Sequence, residues 1–229
     1  MRSVFPWAVH FYTAFGAVCG FGSIVATIEG EYRTAFLWLV GATLIDATDG
    51  VLARLARVKE RTPGFDGARL DDIVDYLTYV VAPILIVYTA QMLPQRWGLP
   101  IAGLVLLSSG YGFASADAKT NDYFFTGFPS YWNVVAVYLF AARLAPAVNA
   151  MILVVLSVLV FVRIGYIYPS RTPVLRGLTI GLGAIWAAMM LTIIVSMPEV
   201  SRPLLIVSLF FPLYYTGLSL VLHGRRRRA

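Results

Sequence analysis

The sequence predicts an all-α integral membrane protein of about eight transmembrane helices with both termini cytoplasmic, and three observations support that fold class. Apolar residues make up 59% of the 229 and charged residues only 13%, with a mean hydropathy of +0.76, which leaves too little polar surface to coat a soluble domain of this size. The apolar residues gather in runs near the length of about 20 that a bilayer core requires. The basic residues are distributed unevenly between alternate connections, as the positive-inside rule expects. Eight spans leave only short connections, so residues 1–229 form a single membrane domain.

The runs follow one another between recognisable breakers. The first, 8–28, lacks a small-residue cleavage site and is read as a retained span rather than a signal peptide. The second, 35–55, leads into a basic connection over 57–69, and the third, 70–92, stops before Pro94. The fourth covers 99–116 and is followed by a polar stretch over 117–129. A short fifth run, 131–144, pairs with the sixth, 147–168, through Arg143 and Pro146. The seventh, 174–197, lies between Pro173 and Pro198, and the eighth, 204–223, begins after Pro203.

An even number of spans places both termini on one side. If that side is cytoplasmic, it carries 14 of the 18 Lys and Arg residues: Arg2, Arg54, Arg57, Lys59, Arg61, Arg69, Lys119, Arg163, Arg171, Arg176 and Arg225 through Arg228. Only Arg33, Arg96, Arg143 and Arg202 remain opposite. The terminal arginine run reads as a headgroup-level anchor and Arg163 as a snorkelling side chain. Gly16 with Gly20, and Gly177 with Gly181, form GxxxG pairs that read as helix-packing contacts. The net charge of +6 reflects this topology and anionic lipid, not nucleic acid. Cys19 stands alone and His10 and His223 lie at opposite ends, so an internal disulfide and a Cys/His metal site are both excluded.

Four aspartates stand where a bilayer-spanning chain should have few. Asp46 and Asp49 are three apart on the second span, and Asp71 and Asp75 are four apart on the third, so each pair shares a helix face. The connection between the spans brings the pairs to similar depth. Buried charges cost about 2.5 to 3.5 kcal/mol each on insertion scales, and like charges repel further, so cations must compensate. An all-oxygen carboxylate set suits two Mg²⁺ or Mn²⁺ ions, which complete their shells with water and phosphate oxygens. Gly50 and Ala53 leave room beside the acids, and Arg54 supplies a guanidinium. Asp66 and Asp72 read as capping or solvated residues.

These residues spell Asp46-x2-Asp49-Gly50-x2-Ala53-Arg54-x12-Gly67-x3-Asp71-x3-Asp75, which resembles the signature of the CDP-alcohol phosphatidyltransferases. These are integral membrane enzymes that displace CMP from a CDP-linked lipid. The long gap between Arg54 and Gly67, and the stretch from Lys119 through Asn121 to Asn133, are similar to the bacterial phosphatidylcholine synthase branch. The resemblance implies that Asp46, Asp49, Asp71 and Asp75 hold the two ions, with Asp75 also the general base. It implies that Gly50, Ala53, Arg54 and Gly67, bordered by Thr13 and Gly16, receive CDP-diacylglycerol. It further implies an inner-membrane enzyme with its site facing the bacterial cytoplasm, and a homodimer as a candidate assembly. Thr62 and its neighbours in the lengthened connection receive no role.

Six of residues 119–133 are aromatic: Tyr123, Phe124, Phe125, Phe128, Tyr131 and Trp132. A quaternary ammonium donates no hydrogen bond and is recognised by aromatic faces and nearby negative charge. Tyr131, Trp132 and Asp122 are therefore choline candidates, with Asn133 orienting the hydroxyl. Serine, inositol or glycerol phosphate is the alternative acceptor, and Lys119 and Arg163 would suit the last. A cation-coupled transporter is the alternative from another class, because intramembrane carboxylates also mark ion pathways.

Overall fold

The structure is a computed structural model that describes residues 4–120, 122–169 and 171–226. Arg2, Arg227, Arg228 and Asn121, which the sequence reading used, lie outside the described residues. Helices α1 (Val4–Ile28) and α2 (Tyr32–Leu55) pack side by side along an antiparallel hairpin. The turn between them passes through Gly30 at φ +77°, a conformation that favours glycine. A short helix α3 (Val58–Arg61) follows, then α4 (Gly67–Asp75), capped by the Asp66 carboxylate, which accepts from the Arg69 amide at 3.1 Å. Asp66 thus has the capping role its position suggested.

Helix α4 does not end at Asp75. It continues through a π-helical segment, Tyr76–Val81, into α5 (Ala82–Thr89), so the third apolar run is one helix with a wide turn in its middle. Such insertions shift the register of every side chain beyond them. Helices α6 (Gly98–Ala114), α7 (Trp132–Ala142), α8 (Pro146–Phe161) and α9 (Arg176–Val195) come next. The pair α10 (Arg202–Ser208) and α11 (Phe210–Arg226) closes the chain as one nearly continuous rod. Pro146 and Pro203 stand in the first turns of α8 and α10, where a missing N–H costs nothing.

Four helical stretches are long and apolar enough to cross a membrane: Val4–Ile28, Tyr32–Leu55, Arg176–Val195 and Arg202–Arg226. Gly98–Ala114, Trp132–Ala142 and Pro146–Phe161 are shorter apolar helices. The protein is therefore predominantly helical with membrane-spanning character, and each of the eight apolar runs contains helix. Large apolar side chains such as Phe11, Phe21, Leu107, Ile185 and Leu213 point outward, as a lipid-facing surface requires. The interior is built on Phe36, Val80, Ile86, Trp132, Leu153 and Ile193.

Two features depart from an all-helical chain. The sixth run was expected to be helical to residue 168, but α8 stops at Phe161. The next residues form strand β2 (Gly165–Ile167), antiparallel to β1 (Phe124–Thr126), with Phe125 opposite Tyr166. The Gly165 amide donates to His223 Nδ1 at 3.0 Å and the Ile167 amide to Ser219 Oγ at 3.1 Å. The Tyr215 hydroxyl donates to the Ile167 carbonyl at 3.1 Å. These side-chain partners on α11 satisfy strand groups that a lone two-stranded ribbon would leave open, which is why so short a sheet persists. Second, the two GxxxG pairs differ. A Cβ on Gly16 would lie 2.6 Å from Val74, and one on Gly20 would lie 2.7 Å from Leu77, so this pair allows α1 to approach α4 and the π-helical segment closely. A Cβ on Gly177 or Gly181 would meet nothing within 4 Å, so their expected packing role is not realised among the described residues.

Candidate active site

The hairpin α1–α2 and the helix begun by α4 bring the acidic pairs together. One carboxylate oxygen each from Asp46, Asp49 and Asp71 lies within 4.8 Å of the others. Oxygens bound to one Mg²⁺ at about 2.1 Å would be at most about 4.2 Å apart, so the set needs only small side-chain movement to grip an ion. The donors are all hard oxygens, which suits Mg²⁺ or Mn²⁺. Asp46 accepts a hydrogen bond from the Tyr79 hydroxyl at 2.6 Å, and Asp49 accepts one from Thr13 at 2.9 Å. Among the described residues no Lys or Arg forms an ion pair with Asp46, Asp49, Asp71 or Asp75, and Arg69 pairs instead with Asp66 at 3.7 Å. Structural salt bridges therefore do not account for the cluster.

Two cavities meet at these acids. A cleft of about 780 Å³ is lined by Thr13, Asp49, Gly50, Ala53, Arg54 and Gly67. Arg57, Lys59 and Arg171 add positive charge to its walls. The lengthened connection closes one side of this cleft. Thr62 donates to the Val58 carbonyl at 2.9 Å and so accepts from His10 Nε2, also at 2.9 Å. Phe65 packs against His10 at a tilt of 58°, with centroids 4.4 Å apart. Gly67 is needed here because a Cβ would come within 2.7 Å of the His10 ring. Gly16, expected to border this space, lies instead in the α1–α4 contact.

The second cavity, about 330 Å³, is lined by Asp46, Asp71, Asp72 and Asp75 on one part of its wall and by aromatic rings on another. Asp71 is the one described residue that lines both cavities. Asp75 lies outside the three-aspartate group and borders only this smaller pocket. Lys119 also lines it and binds Asp72 at 3.2 Å. Burial works against the Lys119 ammonium, but the carboxylates of Asp72 and Asp71 outweigh it, and its pKa is raised.

Of the residues expected around the acceptor, Tyr131 is brought to this pocket and three are not. Trp132 is 1% exposed in the core, its Nε1 donating to Ser109 at 2.7 Å. Asn133 is buried and donates to Thr43 at 3.3 Å. Asp122 accepts from Arg226 at 2.7 Å on the exposed face of the β1 loop. The reason is local: α7 starts at Trp132, so Tyr131, Trp132 and Asn133 diverge around the helix start rather than sharing a face. Tyr79 and Tyr168, not among the candidates drawn from sequence, line the pocket beside Tyr131. Tyr79 follows Asp75 by four residues, a same-face spacing that was available as a signal, whereas Tyr168 depends on the unforeseen strand. Arg163, expected to snorkel, pairs with Asp117 at 3.0 Å.

No family model matches the chain. Its sequence is 40% identical over 214 residues to a phosphatidylcholine synthase of Legionella bozemanae, covering 90% of this chain and 96% of that protein. It is 37% identical over 216 residues to a phosphatidylcholine synthase of Pseudomonas aeruginosa, covering 93% and 90%. A phosphatidylcholine synthase of Rhizobium meliloti is 39% identical over 184 residues, 80% of this chain and 76% of that protein.

Proposed function

The chain belongs to the phosphatidylcholine synthase family, and on that premise we propose that it joins CDP-diacylglycerol to choline, giving phosphatidylcholine and CMP. Membership in a family of enzymes removes the transporter alternative. The observation that carries the proposal is the pair of cavities meeting at Asp71, one beside Asp49 with Arg54, Arg57, Lys59 and Arg171 on its walls, the other acidic and aromatic and beside Asp75.

In this reading the larger cleft receives the CDP portion of the donor. Gly50, Ala53 and Gly67 keep its walls low, and Arg54, with Arg57 and Lys59, meets the diphosphate. Asp46, Asp49 and Asp71, with Asp75 at the edge of the set, hold two Mn²⁺ or Mg²⁺ ions. Such ions, when bound, neutralise the diphosphate and stabilise the departing phosphate. Choline occupies the smaller pocket. Its hydroxyl oxygen attacks the phosphorus attached to diacylglycerol, the bond from that phosphorus to the CMP oxygen breaks, and Asp75 takes the hydroxyl proton. The acyl chains stay in the bilayer throughout. The excess of Lys and Arg on alternate connections supports an eight-span protein of the bacterial inner membrane with this site at the cytoplasmic face. A homodimer is its candidate assembly.

The test is CMP release by protein purified in detergent, supplied with CDP-diacylglycerol and Mn²⁺ or Mg²⁺. Choline is supplied or omitted, and serine, inositol and glycerol phosphate are compared. Release that requires both metal and choline supports the proposal. Release that requires a different alcohol retains the transfer chemistry and rejects choline.

A further inference from the structure

The wall of the smaller pocket opposite in character to its carboxylates is made of rings from three separate parts of the chain. Tyr79 comes from the π-helical segment, Phe125 from β1 with Phe128 and Tyr131 from the turn that leads to α7, and Tyr168 directly follows β2. Phe125 meets Tyr131 at 6.4 Å between centroids and 82° between planes, and Tyr79 meets Tyr131 at 6.2 Å and 51°. Phe125 and Tyr168 are 4.9 Å apart. Rings set at such angles form a corner rather than a stack, and a corner offers its faces to a shared space.

The Tyr79 hydroxyl donates to Asp46 at 2.6 Å, and the rings of Phe125 and Phe128 accept no ordinary hydrogen bond. A primary ammonium that turns one N–H toward the carboxylates would leave those facing the Phe125 and Phe128 rings unpaired, at a cost in affinity. A trimethylammonium group has none to satisfy and is attracted by ring faces and by the nearby carboxylates. We propose that Phe125, Tyr131 and Tyr168, backed by Tyr79 and Phe128, are the residues that select a quaternary over a primary ammonium alcohol. This rests on the acceptor reading given above. The selecting rings Phe125 and Tyr168 are held in place from behind, because α11 clamps β2 through Ser219, His223 and Tyr215, and β2 in turn holds β1.

The test compares choline with ethanolamine as acceptors for wild type, Phe125→Leu, Tyr168→Leu and Tyr168→Phe. The two leucine variants should raise the choline KM about five- to thirtyfold and lower the choline-to-ethanolamine ratio in kcat/KM. The CDP-diacylglycerol KM should stay within about twofold, which also reports a folded site. Tyr168→Phe keeps the ring and should restore most of the choline-to-ethanolamine ratio that Tyr168→Leu loses. An unchanged ratio, or a donor KM that rises as much as the acceptor KM, overturns the proposal. A second arm measures thermal stabilisation by tetramethylammonium, which needs no turnover. If wild type uses another alcohol and not choline, the acceptor reading fails, and this arm decides the box alone. Stabilisation lost in Phe125→Leu supports it, and absence of stabilisation in wild type overturns it.

Discussion

The Tyr79 hydroxyl donates to the Asp46 carboxylate at 2.6 Å, joining the helix that carries Asp75 to the one that carries Asp49. A hydrogen bond to a charged group contributes about 1.5 to 3 kcal/mol, enough to hold one side chain of the metal-binding set in place. Tyr79→Phe should therefore raise the Mn²⁺ concentration needed for half-maximal CMP release by about three- to tenfold, with the choline KM nearly unchanged because the ring remains. A metal titration of the variant with both substrates saturating checks this.

Asp75 and Asp49 should separate by their effects. Asp75→Asn keeps the size of the side chain but removes the proton acceptor, so kcat should fall about 10²- to 10⁴-fold even at saturating metal, while the metal requirement moves less than in Asp49→Asn because Asp75 stands at the edge of the set. Asp49→Asn should instead shift the metal requirement by about tenfold or more. Initial rates across a Mn²⁺ series, with variants shown monodisperse in detergent, give both numbers.

Removing divalent ions with EDTA should abolish CMP release, and adding Mn²⁺ or Mg²⁺ back should restore it. The donor atoms at Asp46, Asp49 and Asp71 are all oxygens, the ligand class those ions prefer. Activity that persists after chelation, in protein shown metal-free by elemental analysis, would sink the two-ion reading.

Trp132→Ala is expected to damage stability rather than choline selectivity. The side chain is 1% exposed and donates to Ser109, and truncating a buried Trp costs about 3 to 5 kcal/mol. The midpoint of thermal unfolding should drop by several degrees, and the donor and acceptor KM should shift together. A rise confined to choline would return Trp132 to the acceptor site.

Gly127→Ala should loosen the acceptor pocket without touching any of its rings. Gly127 has φ +78°, and a Cβ there would collide with the Val160 carbonyl oxygen. The loop between β1 and α7 would have to move, carrying Phe128 with it and pulling on Phe125 in β1. The choline KM should rise several-fold more than the donor KM, and unfolding should come at lower temperature.

Local patterning made the acidic cluster readable from sequence. Asp46 with Asp49, and Asp71 with Asp75, are spaced for one helix face each, and the structure places the four around two adjoining cavities. The apolar runs located the helices for the same reason, since helix in a bilayer leaves a continuous signature. Non-local contacts left no such trace. The strand at Gly165–Ile167 reads as the tail of an apolar run and becomes a strand only because β1 and α11 satisfy its backbone. Tyr168 follows that strand, so its arrival beside Asp75 could not be read from neighbours in the chain. Trp132 shows the converse. Its place in an aromatic cluster suggested a ligand site, but the start of α7 turns it inward to Ser109 and away from Tyr131.

If the donor binds on one side of Asp71 and the acceptor on the other, as proposed, the two substrates would be held at the same time. The group in transit would then pass directly from one partner to the other, without a stop on the protein. Initial-rate lines for one substrate at fixed levels of the other should then intersect rather than run parallel, and pre-incubation with CDP-diacylglycerol alone should leave no covalently labelled chain.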